Sequence, residues 1–422
     1  MPRKKLLLLL LSLVLLFSFS SCPKSDGGNN TIAGTENPGS EEPGEKPGEE
    51  PETWPQAMSG KTAAEYFSEN KIRVGWNVGN SLDSHKDGVG GETFWISSAI
   101  NQKTLNSGKD AGFTIVRIPV TWMGHIGNAP DYKVAEARLK RVAEVVGYAQ
   151  KAGLKAVVIN LHHDGSTDSA ADEAGWLSIN KALAKPADKQ AITEKYTKVW
   201  KQIAEYFKDY GDYLIFEAFN ELHDGGWFWA NRNVPQNQYD LVNEWAQIFV
   251  TTVRATGGNN ETRFLVIPSY CTGLEALLTD KFILPTDSAQ KRLMVAFHYY
   301  RPDSFALDGS STTWDTTGNR SEITTKFSGL KQKFVDKGVP VIIGETGPVR
   351  NKNAEGDVNR IPYITFLYGQ AKTNGLVPVY WDNGSYGTNG DGFGIFSRVN
   401  GGPYTGYDAV SVIQAMVDAV KD

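Results

Sequence analysis

Short apolar runs alternate along this chain with longer segments in which apolar residues recur every third or fourth position. The apolar runs are IRVGWNVGN (72–80), FTIVRIPVTW (113–122), KAVVINLHHD (155–164), YLIFEAFNE (213–221), RFLVIPSY (263–270), RLMVAFHYY (292–300), VPVIIGETG (339–347) and LVPVYWDNG (376–384). Most are continuously apolar rather than alternating, the pattern of parallel strands covered on both faces. Between them, segments such as VAEARLKRVAEVVGYAQKAG (134–153) and NQYDLVNEWAQIFVTTVRATGG (237–258) carry helical periodicity, and Gly153 reads as a helix stop. Strand ends placed at Asn80, Val120, His162, Asn220, Ser269, Tyr299, Glu345 and Asp382 fall 30 to 58 residues apart. Eight such strand–helix units predict an α/β fold closed as a (β/α)8 TIM barrel, because an open doubly wound sheet more often has about five to seven strands.

The pattern changes at the N-terminus. MPRKK is a basic start, LLLLLLSLVLLFSF an apolar stretch too short for a confident membrane span, and SSC a small-residue run ending at Cys22. This reads as a signal peptide over residues 1–21, of the lipoprotein type, with Cys22 as the lipidated residue. Phe19 stands where such signals usually carry Leu. Residues 22–56 are rich in Pro, Gly and Glu and almost free of aliphatic side chains, so they are expected to form a disordered acidic linker. The chain is then an exported protein, lipid-anchored to a bacterial outer membrane on its surface or periplasmic side, with one barrel domain over 57–422. Lipidation of Cys22 leaves Cys271 unpaired, a small buried residue rather than half of a disulfide.

Charge narrows the partners. The formal net charge is −5, and losing Arg3, Lys4 and Lys5 with the leader makes it more negative. No other basic block is present, which argues against nucleic acid and leaves membrane contact to the lipid anchor. Neutral polymers meet no electrostatic objection. With 11 Trp and 17 Tyr, the chain has flat rings enough for both a core and a ligand surface.

In barrels of this kind chemistry sits at the C-terminal strand ends. Here those ends carry Asn77 and Asn80, Arg117, His162 and His163, Asn220 and Glu221, His298 and Tyr300, Glu345, and Trp381 with Asp382. Loops are polar in general, yet His, Arg, Glu, Tyr and Trp at so many ends exceed what turns require. Two carboxylates, Glu221 after the fourth strand and Glu345 after the seventh, can aim across one mouth and suit glycoside hydrolysis by an acid and a nucleophile or base. His162 and His163 are not expected to bind metal, since neighbours on a strand face opposite ways and no third ligand accompanies them. No metal or cofactor is expected.

Taken together, GWNVGNSLD, VRIPVTW, INLHHD, FEAFNE, FHYY, IIGETG and VYWDNG resemble glycoside hydrolase family 5, the cellulase family. The resemblance implies a retaining endo-β-1,4-glucanase with Glu221 as acid/base and Glu345 as nucleophile, acting on cellulose chains, mixed-linkage glucan or xyloglucan. It implies that Arg117 keeps the pKa of Glu345 low, that Tyr300 donates to Glu345, and that a neighbouring carboxylate raises the pKa of Glu221. His162, His163 and His298 are expected to line the site, Asn220 to meet the sugar 2-hydroxyl, Asn80 to bind substrate, and Trp381 to form the stacking floor. Trp227, with Trp176 and Trp229, is a candidate glucan-stacking wall. Leu222 stands where the family commonly has Pro, and Thr346-Gly347-Pro348 follows the second glutamate, which loosens the choice of substrate. A β-mannanase and a non-catalytic glycan-binding lipoprotein are the alternative readings; the latter would lack one of Glu221, Glu345, Arg117 or Tyr300. A lyase or aldolase would want a metal set or a Schiff-base lysine. The protein is expected to be a monomer.

Overall fold

The computed structural model describes residues 57–165, 175–225, 233–388, 391–405 and 409–422. Cys22 and the acidic linker, along with Trp227 and Trp229, lie outside the described residues. Eight parallel strands close into a barrel among the described residues: β1 (Gly75–Asn77), β2 (Ile115–Ile118), β3 (Ala156–Asn160), β4 (Leu214–Glu217), β5 (Leu265–Gly273), β6 (Leu293–Tyr299), β7 (Val341–Thr346) and β8 (Leu376–Tyr380). Each pairs with its sequence neighbours, and β8 pairs with β1. The principal helices between and after the strands are α1 (Gln102–Asp110), α2 (Glu136–Lys151), α3 (Pro186–Tyr206), α4 (Gln236–Ala255), α5 (Leu274–Leu278), α6 (Thr317–Lys333), α7 (Arg360–Asn374) and α8 (Ala409–Val420).

The helical periodicity works as expected. On α2, Leu139, Val142, Val145, Val146 and Ala149 are buried, a stripe at three- and four-residue spacing that packs on the outside of the strands. Gly153, at φ +84°, turns the chain back toward β3 in a left-handed conformation open to glycine at little steric cost.

Continuous apolar strands hide an alternation that only the barrel reveals. Val116, Ile118, Val157, Ile159, Leu214 and Phe216 point outward into the helix layer. Ile115, Ala156, Val158, Ile215, Val266, Met294, Ala296, Ile342, Val377 and Val379 point inward and fill the lower barrel. A further helix, Ala63–Glu69, closes the floor: Ala63, Phe67 and Ile72 join the inner cluster. The amide of Ala63 donates to Lys291 O at 2.9 Å, Tyr66 Oη to Lys155 O at 2.8 Å, and Ser59 is hydrogen-bonded to Asp212, all just before strands begin. Above this apolar filling the inward positions turn polar, with Asn77, Arg117, Asn160, Glu217 and His298 all buried.

Two strand-end expectations change. The ladder of β5 runs past Ser269 through a register shift, with Cys271 and Thr272 at positive φ, and Cys271 is indeed buried. Asp382 belongs to the scaffold: its carboxylate pairs with Arg398 at 2.9 Å, both side chains fully buried, and accepts the amides of Gly384 and Ile395. Because Phe67 seals the end of the barrel away from those polar residues, Phe67→Ala should cost about 3–5 kcal/mol in urea unfolding while kcat stays within about twofold of the parent.

Candidate active site

The polar layer is organised by one guanidinium. Arg117 on β2 projects inward and donates from Nε to Glu217 Oε2 at 2.7 Å, from Nη1 to Glu345 Oε1 at 2.8 Å and Asn77 Oδ1 at 3.0 Å, and from Nη2 to Asn220 Oδ1 at 2.7 Å. Asn77, its cross-strand partner, is fixed in turn by donating to the carbonyls of Gly344 and Tyr380. Asn160 Nδ2 donates to Glu217 Oε2 at 2.8 Å. Glu217 escaped the sequence reading because it stands inside an apolar run. The available signal was its being the one charged residue in YLIFEAFN, where burial demands a cation.

Glu345 and Glu221 meet above this layer. Glu345 Oε2 accepts the Tyr300 hydroxyl at 3.0 Å, and Phe393 packs edge-on against the Tyr300 ring. His298 Nδ1 lies 2.5 Å from Glu221 Oε1 and 3.6 Å from Glu345 Oε2. One oxygen of Glu221, one of Glu345 and a nitrogen of His298 all fall within 4.8 Å of one another. His298 Nε2 is buried with no hydrogen-bond partner among the described residues. With the ring proton on Nδ1, His298 donates to Glu221 Oε1 and leaves Glu221 Oε2 to carry the acidic proton.

The two carboxyls are in different electrostatic positions. Burial pushes the Glu221 carboxyl up to about 8; Arg117 opposes the rise and Glu217 adds to it. The expected raising by a neighbouring carboxylate is thus secondary to burial, and the neighbour is Glu217. Burial also raises Glu345, against the pull of His298 and Arg117. Arg117 therefore limits a rise rather than holding Glu345 low. His298 is pushed down to about 4, chiefly by burial, and stays neutral near pH 7.

Around the pair lies a cleft of about 510 Å³ lined by Asn80, His162, His163, Asn220, Glu221, Tyr300, Glu345 and Trp381. Trp95, Leu307, Asp308, Asp391 and Phe393 complete it; they come from loops whose reach the strand pattern does not predict. Gly79 has no side chain because a Cβ there would lie 2.7 Å from the Trp381 ring. Asn80, at φ +54°, is held in the left-handed region by Asp83, whose oxygens accept the amides of Asn80 and Ser81. Trp381 lies parallel to His162, with ring centroids 5.9 Å apart and 3° between planes.

Two placements depart from expectation. His162 and His163 do not face opposite ways: β3 ends at Asn160, and their rings meet edge to face at 4.5 Å on the same cleft. With Asp83 they bring three donor atoms within 4.8 Å, so a third ligand candidate exists, although both oxygens of Asp83 already accept backbone amides. Trp176 is no open stacking surface, since its Nε1 donates to Asp164 at 2.7 Å and Lys195 sits over its ring at 4.4 Å. Asn220, as expected on the cleft, spends its carbonyl oxygen on Arg117, which leaves its amide Nδ2 as the group to meet a sugar hydroxyl.

The sequence matches the family Cellulase (glycosyl hydrolase family 5) over residues 82–387. The chain belongs to glycosyl hydrolase family 5. This glycoside hydrolase is 37% identical to endoglucanase A of Paenibacillus barcinonensis, over 81% of the chain and 87% of that protein. Its structure superposes on a GH5-4 broad specificity endoglucanase from Bacteroides salanitronis with a TM-score of 0.79 and 39% identity, covering 89% of this chain and 99% of that one. A family 5 xyloglucanase from Paenibacillus pabuli gives a TM-score of 0.75 and 36% identity, covering 83% and 99%.

Gly344 on β7 lies where a Cβ would stand 3.0 Å from His298 Nε2. Gly344→Ala presses the imidazole off its line to Glu221 and should lower kcat about tenfold or more, with KM and the urea midpoint changing far less.

Proposed function

We propose that this hydrolase is a retaining endo-β-1,4-glucanase, with Glu345 as nucleophile and Glu221 as general acid/base. The observation that carries the reading is the approach of the two carboxyls, whose nearest oxygens lie within 4.8 Å. Double displacement uses carboxyls ~5–5.5 Å apart, whereas the inverting route leaves ~6.5–9.5 Å for a water between them. The proton inventory supports the same division. Glu221, pushed up to about 8, enters protonated, while Glu345, bonded to Arg117 and Tyr300, is the better anion.

In the first half-reaction a Glu345 oxygen attacks C1 of the glucosyl unit. The C1–O bond breaks, and the departing oxygen takes the proton of Glu221. In the second half, water attacks C1 and gives a proton to Glu221, and the bond to Glu345 breaks, restoring both groups. Each displacement inverts C1, so the two together retain the β configuration. Trp381 supplies the floor under the reacting sugar, with His162, His163, Asn220 and Asn80 around it.

The endoglucanase and xyloglucanase activities named for the relatives support a neutral β-1,4-glucan as substrate, among cellulose chains, mixed-linkage glucan and xyloglucan. The aromatic-lined cleft suits such a polymer, and a chain with no basic block beyond its start raises no electrostatic objection to it. We also propose that the enzyme is an exported monomer, held at the outer membrane by lipid on Cys22 and displayed on the acidic linker of residues 22–56, with no cofactor in its reaction.

A panel of carboxymethylcellulose, mixed-linkage glucan, xyloglucan and galactomannan tests the substrate. Mid-chain cleavage of the glucans, with viscosity falling well before reducing ends accumulate, is expected; dominant galactomannan activity would make the enzyme a mannanase. Glu221→Gln should reduce glucan turnover by about 10²–10⁴-fold, and Glu345→Gln should abolish it while substrate is still bound. In the native enzyme, activity should fall as pH rises through about 8, where Glu221 loses its acidic proton. On the acid side it should fall as Glu345 takes up a proton, above the range of a free carboxylate because burial raises that group. A pH profile without the alkaline fall would remove Glu221 from the acid role. Cys22→Ser should move the protein from membrane to soluble fractions.

A further inference from the structure

The double displacement as written makes no use of Glu217. This carboxylate on β4 is almost wholly buried, and a single oxygen, Oε2, takes both Arg117 Nε and Asn160 Nδ2. Glu345 takes the other side of the same guanidinium. One cation therefore serves two buried carboxylates. The titratable groups gathered around it are Glu217 from β4, Glu345 from β7, His298 from β6 and, just beyond the strands, Glu221 after β4, Tyr300 after β6 and His162 after β3; β3 itself contributes the uncharged Asn160.

That balance must survive the reaction. Once Glu345 carries the glycosyl group as an ester, its negative charge is gone, and a buried guanidinium left without a counter-ion is strongly unfavourable. We infer that Glu217 is the standing counter-ion of Arg117, a positioning residue that keeps the guanidinium neutralised while Glu345 is esterified. Before attack, the same residue shares the cation so that Glu345 remains nucleophilic. This rests on the double displacement proposed above.

The two half-reactions then respond differently to loss of Glu217. Without its charge, Arg117 bears fully on Glu345, stabilising it as a carboxylate. Attack by Glu345 slows, whereas its departure in the second half is favoured. A residue that merely braces the barrel would affect both halves alike.

Glu217→Gln separates the cases on two aryl β-cellobiosides. The phenyl glycoside has a poor leaving group and reports formation of the glycosyl-enzyme. The 2,4-dinitrophenyl glycoside, with a pre-steady-state burst in the native enzyme, reports its breakdown. We expect kcat on the phenyl substrate to fall about tenfold or more, with kcat on the dinitrophenyl substrate within about threefold of the parent. The alkaline limb of the phenyl pH profile should also move to lower pH, because the charge of Glu217 helps hold the Glu221 proton. Equal losses on both substrates with an unmoved limb would overturn the inference. If the Gln variant does not fold, Glu217→Asp, which draws the carboxylate back from Arg117, must give the same asymmetry in smaller measure; equal losses again overturn it. Inversion of the anomeric product by the native enzyme would instead defeat the double displacement itself.

Discussion

A guanidinium held inside a barrel is the constraint on which this site depends. Arg117 is almost wholly removed from solvent, and burial of an unpaired cation is severely unfavourable. Its five N–H groups call for acceptors, and the surrounding positions supply them: two carboxylates and two amide oxygens drawn from β1, β4, β7 and the extension of β4. Because those acceptors come from different strands, satisfying one side chain fixes the register and spacing of the whole mouth. Glu345 and Asn220 are aimed partly as a by-product of neutralising Arg117. The rigidity a double displacement needs thus comes from charge balance as much as from packing.

Much of the fold was legible because parallel strands buried on both faces leave long apolar runs, and the helices between them leave a 3.6-residue stripe. Glu221, Glu345, His298 and Tyr300 were readable for a related reason. Each stands where an apolar run gives way to a polar or aromatic residue with chemistry of its own, and the barrel brings such ends to a common rim. The ring that binds them was harder to see. In YLIFEAFNE the eye moves to the final glutamate, although Glu217 is the one buried with the arginine.

Other misreadings have equally definite physical causes. Asp382 ends a strand as Glu345 does, but Arg398, distant from it in the strand pattern, turns it into a buried scaffold pair. His162 and His163 were assigned opposite faces by strand alternation, a rule that lapses once the ladder stops at Asn160. The pKa of Glu221 was ascribed to a neighbouring charge, while enclosure is the larger cause, and enclosure depends on loops that sequence spacing does not place. Trp176 looked available until Asp164 and Lys195 took its edge and face.

The division of the barrel interior carries a last consequence. Its lower half is hydrocarbon sealed by the helix carrying Phe67, and its upper half is ionic. Hydrocarbon polarises weakly, so the lower half acts as insulation: the field of the charged ring is poorly screened from beneath and is directed toward the open mouth. A sugar ring bound there displaces the remaining water and closes the circuit from above. The cation-like charge that develops on the sugar during bond breaking then sits directly above that ring, within reach of its carboxylates.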